Sequence, residues 1–277
     1  MTAFQPAACL AAVEQSPAAV AVHDKQAWLS LFAADAVVED PVGSAPHRQG
    51  GAARRADALG RFYETFIAPN QIHFEVDRDI VCGDHVLRDL TIVIAMSQSV
   101  TVRVPVHLLY ELVEQGGALK VSRLAAHWEL GPMLRQQLDA GPGFLAVGMR
   151  SFLRMFRQLG PGGIIGFSRA MSSVGDKGKE RLYDLASALA NSDATAMAQL
   201  FEQPDITVAF PHAGQQLSLA DCAAQGGNLR LAKVLAAGDT VSASIDYQTH
   251  DATHHGVVLC RLNKHSLKIS GLSFYWE

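Results

Sequence analysis

DAVVEDP (Asp35–Pro41) and DITVAFP (Asp205–Pro211) are one phrase written twice: an aspartate, a β-prone run, and a proline six residues on. Working outward, the correspondence continues. HDKQAWLSLF (His23–Phe32) and SDATAMAQLF (Ser192–Phe201) both place an aspartate eight residues before a phenylalanine. Each copy then closes on aromatic residues at the end of an alternating run, AAHW (Ala125–Trp128) and LSFYW (Leu272–Trp276). From the aspartate to the closing tryptophan is 93 residues in the first copy (128 − 35) and 71 in the second (276 − 205), so the second is the trimmed one. A repeat on this scale indicates two copies of one folding unit.

Within each copy the periodicity passes from helical to extended. Trp28, Leu31 and Phe32, then Leu59, Phe62, Phe66 and Ile67, recur at three- and four-residue steps, which places them on one face of successive helices. After Asn70 come HVLRDLTIVIAM (His85–Met96), VTVRVPVHLLYELV (Val100–Val113) and LKVSRLAAHWEL (Leu119–Leu130), separated by turn residues such as SQS and EQGG. Helices followed by an antiparallel meander predict an α+β unit, its helices covering one face of a curved sheet. The expected division is residues 1–140 for the first unit, 141–177 for a linker and 178–277 for the second unit. In the linker, Phe152, Met155, Phe156 and Leu159 form an apolar stripe beside Arg150, Arg154 and Arg157, read as a docking helix, the alternative being a basic amphipathic helix that lies on a membrane.

Composition narrows the function. The 277 residues are 49% hydrophobic and 18% charged with a formal charge of −4, which leaves no overall field to gather a nucleic-acid backbone or anionic lipid and favours a hydrophobic small molecule as partner. Cys9, Cys82, Cys222 and Cys260 are widely spaced without a CxxC pair, which fits reduced core thiols and a cytoplasmic location better than a disulfide framework or a zinc site. No membrane span is expected. No dinucleotide fingerprint, P-loop, nucleophile elbow or HExxH occurs, so no cofactor and no metal are expected.

The most specific string is ADAVVEDPVGSAPHRQG (Ala34–Gly50), followed by GRFYETFI (Gly60–Ile67). From about Asp24 to Leu130 the chain resembles the ketosteroid isomerase and SnoaL-like branch of the NTF2-like superfamily, and the second copy retains the skeleton of the same pattern. The resemblance implies two cone-shaped NTF2-like domains with apolar pockets, and family members often dimerise through the outer sheet face. It implies that Asp40 stands where the steroid isomerases keep their proton-shuttling carboxylate, that Tyr63 matches a network tyrosine and Trp128 a pocket tryptophan. Independently of any family, a carboxylate in an apolar pocket is a stronger base toward a carbon acid next to a carbonyl. The alternative is that Asp40 only shapes the turn before Pro41.

The sequence departs from the family at both oxyanion donors. The position of the first-helix tyrosine falls near Ser16, and the position of the protonated aspartate falls at His107. A rebuilt site would therefore use His107 with Tyr63 as donors; a strand histidine can equally be a satisfied core residue. The expected substrate-binding set is Trp128, Phe32, Leu90, Ile92, Pro105 and Leu124, with Arg88 and Arg103 on the pocket-facing parity of their strands. In copy two Phe210 replaces the base, and His250, His254 and His255 read as a turn and strand start facing solvent. That copy is expected to cover the outer sheet of the first, as an intramolecular partner in place of, or beside, a homodimer. The leading expectation is a cofactor-free isomerase on a steroid-like or polyketide-like carbonyl compound. Its rivals are a non-catalytic binding module and an epoxide-hydrolase-like relative; against the last, Arg88 and Asp89 are adjacent rather than two apart.

Overall fold

The computed structural model describes residues 4–50, 57–139, 143–203, 205–249 and 252–276. His250, and the expected boundary at residues 140 and 141, lie outside them. The chain contains two α+β domains with the same topology. In the first, helices α1 (Pro6–Ala21), α2 (Lys25–Ser30) and α3 (Ala58–Phe62, continued by a π turn to Ile67) pack on a six-stranded sheet. Its strands are β1 (Phe32–Glu39), β2 (His47–Arg48), β3 (Gln71–Cys82), β4 (His85–Ala95), β5 (Thr101–Gln115) and β6 (Ala118–His127), in the order β2-β1-β6-β5-β4-β3. After α4 (Leu130–Asp139), α5 (Gly143–Ser168), α6 (Gly175–Ala190) and α7 (Ala194–Leu200), the second domain repeats the layout. Strands β7 (Thr207–Phe210), β8 (Gln215–Ser218), β9 (Asn228–Ala237), β10 (Thr240–Gln248), β11 (Thr253–Leu262) and β12 (Ile269–Trp276) run β8-β7-β12-β11-β10-β9, with α8 (Leu219–Gln225) between β8 and β9. In both sheets the pair joining the first strand to the last is parallel, β1 with β6 and β7 with β12.

The repeated aspartates have a mechanical explanation. Asp24 and Asp193 are the N-caps of α2 and α7, and each carboxylate accepts from the backbone N–H three residues on, Ala27 at 2.8 Å and Ala196 at 2.9 Å. The residue before each cap has a positive φ, His23 at 55° and Ser192 at 50°. The repeat is thus preserved down to single backbone conformations.

The concave face of each sheet meets its helices in a separate core, and the outer faces of the two sheets meet each other. Val42, Ile80, Leu87, Leu109 and Ala125 pack there against Ala237, Val257 and Tyr275. Gly43 and Gly238 touch at the rim: a Cβ on Gly43 would stand 2.4 Å from the Cα of Gly238, and both have positive φ. A buried polar network pins the centre. Lys233 Nζ donates to Asp89 at 2.5 Å and to Asp77 at 2.6 Å, and Ser244 Oγ donates to the other oxygen of Asp89 at 2.6 Å. His107 reaches Ser242 and Ser244 at 2.8 and 3.1 Å.

Candidate active site

The first domain holds a cavity of about 550 Å³ between the concave sheet face and helices α1, α3, α4 and α5. Alternation explains its walls. Directly paired residues of neighbouring strands point to the same face, and β6 meets β5 as Leu124 with Tyr110 and Ala126 with Leu108. Trp128 continues the parity of Leu124 and Ala126. The cavity side of β5 is therefore its even-numbered side, and Val104, Leu108 and Tyr110 line it. From β4 come Ile92 and Ile94, and from β3 Ile72 and Phe74.

Asp40 leaves the end of β1 and turns into this wall through a cis Asp40–Pro41 peptide. Its carboxylate Oδ1 accepts from Trp128 Nε1 at 2.6 Å. Protein encloses the group while part of its surface stays open to the cavity, and this desolvation pushes its pKa up to about 6, the Trp128 hydrogen bond pulling the other way. Asp40 therefore carries its negative charge near neutral pH in a mainly apolar chamber.

Polar side chains also line the cavity, Ser16, Thr65, Asn70, Tyr110, Gln137, Ser151 and Ser168, with Arg154 on α5 as the one cation among the described lining residues. Tyr110 is buried, and its pKa is raised by desolvation first, with Asp40 adding to the rise. Ser16 on α1 hydrogen-bonds it, and Ser16 in turn accepts from Trp28 Nε1 at 3.2 Å. Sequence reading missed Tyr110 as a cavity residue, although its parity with Leu108 and Val104 was available. It also missed the wall made by α4 and α5, since nothing in periodicity says where a linker helix lands.

The expected site residues divide accordingly. Asp40, Trp128, Ile92 and Leu124 line the cavity together. His107 does not: it pairs directly with His127, so both lie on the opposite face from Trp128, in the interface between the domains. Burial first, then Lys233 and His127, hold the His107 pKa well below the usual histidine value, so it is a neutral interface residue. The family position that falls at His107 thus lies on the face of β5 turned away from the cavity. Tyr63 is buried against Trp28, ring centroids 5.6 Å apart, outside the cavity lining, and its hydroxyl has no hydrogen-bond partner among the described residues. Phe32 packs behind Trp28 at 4.5 Å and Leu90 is core; neither lines the cavity. Pro105 and Arg103 point outward on the odd face of β5, where Arg103 forms a bidentate pair with Glu75. Arg88 has the expected parity but is spent on Asp79, at 2.6 and 3.0 Å.

The second domain shows what replaces the site once the carboxylate is gone. Phe210 stacks with Phe274 at 5.4 Å and packs on Trp276 at 5.0 Å. The Trp276 indole donates to His212 at 2.9 Å instead of to a carboxylate, and His254 stacks on its ring at 4.7 Å. His254 and His255 stand at the start of β11, where His255 is exposed, as expected, and bonds Asp246 at 2.5 Å.

Residues 13–120, within the first domain, match the family model of the SnoaL-like domain. Among solved structures, RV0760c from Mycobacterium tuberculosis is 25% identical over 46% of this chain and 96% of its own (TM-score 0.39), and it has also been solved in complex with estradiol-17β-hemisuccinate. A Δ5-3-ketosteroid isomerase from Mycobacterium sp. is 24% identical over 44% of this chain and 94% of its own (TM-score 0.36). An LEH-like epoxide hydrolase from M. tuberculosis is 20% identical over 49% and 92% (TM-score 0.39). No curated protein matches.

Proposed function

We propose that the first domain is a cofactor-free enzyme that moves a proton on a hydrophobic carbonyl compound, steroid-like or polyketide-like, with Asp40 as the base. The observation that carries this is the position of Asp40: a carboxylate held by one indole N–H at the wall of a 550 Å³ mainly apolar cavity, with a pKa near 6. A base of that strength is ionised at neutral pH and still basic enough to take a proton from a carbon flanked by a carbonyl and a double bond. The electron pair of the broken C–H bond moves onto the carbonyl oxygen as a dienolate. The protonated Asp40 then returns its proton to the far end of the dienolate, giving the conjugated enone. Tyr110 supplies the hydroxyl that donates to the developing oxyanion, in the place first given to His107. Trp128 is a positioning residue: its N–H fixes one carboxylate oxygen and leaves the other to face the ligand.

The test is conversion of a 3-keto-Δ5-steroid to its conjugated enone, followed by absorbance. The proposal predicts turnover by the wild-type chain and loss of at least about a hundredfold in Asp40→Asn. Tight steroid binding with no turnover above that variant would make the cavity a non-catalytic ligand site.

A further inference from the structure

The wall that closes the cavity also carries the most apolar exposed surface of the described residues. Along α5, Val147, Gly148, Ser151 and Met155 turn toward the core or cavity, while Leu145, Met149, Phe152, Leu153 and Phe156 turn outward. Leu145 is 71% exposed, Met149 60% and Phe156 50%, and Ile165 beyond the Gly160 kink is 60% exposed. The expected docking stripe is therefore split, with Met155 turned inward and Phe156 left bare. Two of the residues lining the cavity, Leu134 on α4 and Phe152 on α5, are themselves exposed, so the cavity meets the apolar outer face at these two side chains.

The charge of this face differs from that of the chain. Residues 140–175 contain Arg150, Arg154, Arg157 and Arg169 and no lysine, aspartate or glutamate, in a protein of net charge −4. At 100° per residue, Arg150 and Arg157 flank the outward apolar stripe on one side. Two copies of such a face would bring like charges together on pairing. Arg154 lines the cavity, but an anionic lipid surface satisfies both outward features: acyl chains take the bare leucine, methionine and phenylalanine side chains, and lipid phosphates take Arg150 and Arg157.

We infer that the α4–α5 face is a membrane-docking surface, by which the protein rests on an anionic bilayer and opens its cavity mouth at Leu134 and Phe152 toward the hydrocarbon. The idea of loading the cavity from the lipid phase rests on reading the cavity as a ligand site; docking itself does not. The helix lies on the membrane and does not cross it, and none of the described helices is long and apolar enough to span one.

The experiment is flotation of the full chain with vesicles of phosphatidylcholine alone or mixed with phosphatidylglycerol, at low and high salt. Wild type is expected to float with the anionic vesicles, less at high salt. R150Q/R157Q should weaken this by about 30-fold, the two arginines contributing about fivefold each. L145S/F156S should abolish it, and neither pair lines the cavity. Circular dichroism verifies that each variant folds, and if one does not, the other decides. No flotation of wild type with any vesicle, or equal flotation with neutral vesicles, overturns the inference. So does a wild-type dimer that L145S/F156S dissociates while no vesicle is bound, which would make the face a contact between copies. Steroid turnover in vesicle-free solution reports on the enzyme reading separately.

Discussion

Replacing Asp40 by asparagine should make the protein more stable, and by an amount that depends on pH in a stated direction. Asp40 titrates near 6 in the folded protein against an ordinary value of 3.8. Between those values the folded state keeps a proton that the unfolded chain has released. Wild-type stability therefore falls as pH rises from about 4 to about 6 and is level with respect to this group above that. A difference of about two pH units corresponds to about 3 kcal/mol, the cost of holding a carboxylate in an apolar chamber. The asparagine side chain retains an oxygen for the Trp128 N–H and carries no charge to desolvate. Urea unfolding at pH 4 should give nearly equal stabilities for the two proteins. At pH 8, Asp40→Asn should be ahead by about 3 kcal/mol, with the gap opening between. Trp28 and Trp128 report the first domain by fluorescence. A pH-independent difference, or a variant less stable than wild type at pH 8, would refute the placement of a raised-pKa carboxylate in the cavity wall.

Further consequences follow from the same geometry. Tyr110→Phe should lower kcat by about a hundredfold with KM little changed, because the hydroxyl acts on charge that develops only in the transition state; steady-state kinetics on the steroid decides it. Lys233→Met leaves Asp89 buried without its cation and should destabilise the chain by about 3 kcal/mol, read by urea unfolding, while His107→Phe should leave the pH profile of turnover unchanged. Gly43→Ala places a methyl group against the Gly238 backbone at a positive φ, and should raise the rate of proteolysis between the domains. Leu124→Trp should fill the chamber and abolish steroid binding, measured by calorimetry, with the melting temperature nearly kept.

The architecture was legible because its signals are local and repeated. Asp24 and Asp193 recur at one spacing since each caps the same helix, and the alternating runs of β4 to β6 state their own period. Asp40 was legible because the string around it is distinctive. Face assignment was not, because a strand's two faces differ by a single residue of register. His107 and Tyr110 lie on one strand, three residues apart, and only the pairing with His127 and Leu124 reveals that the tyrosine faces the cavity and the histidine the second domain. Arg88 shows a further limit: its parity was right, but a carboxylate on the neighbouring strand, Asp79, claims it. On α5 the apolar stripe and its arginines were legible, and the direction in which the stripe faces was not. An amphipathic stripe tells that one side of a helix is apolar, and this helix has apolar residues toward the cavity and toward the outside.

The central claim is that Asp40 takes protons from carbon in the apolar chamber, and it can be tested without knowing the natural substrate. A hydrophobic ketone that fits the cavity is incubated with the protein in D2O, and deuterium incorporation at the carbon next to the carbonyl is followed by mass spectrometry across pH. The account predicts exchange catalysed by wild type, rising through an apparent pKa of about 6 and absent in Asp40→Asn. Exchange that is undiminished in the variant, or binding of the ketone with no exchange at any pH, would contradict it.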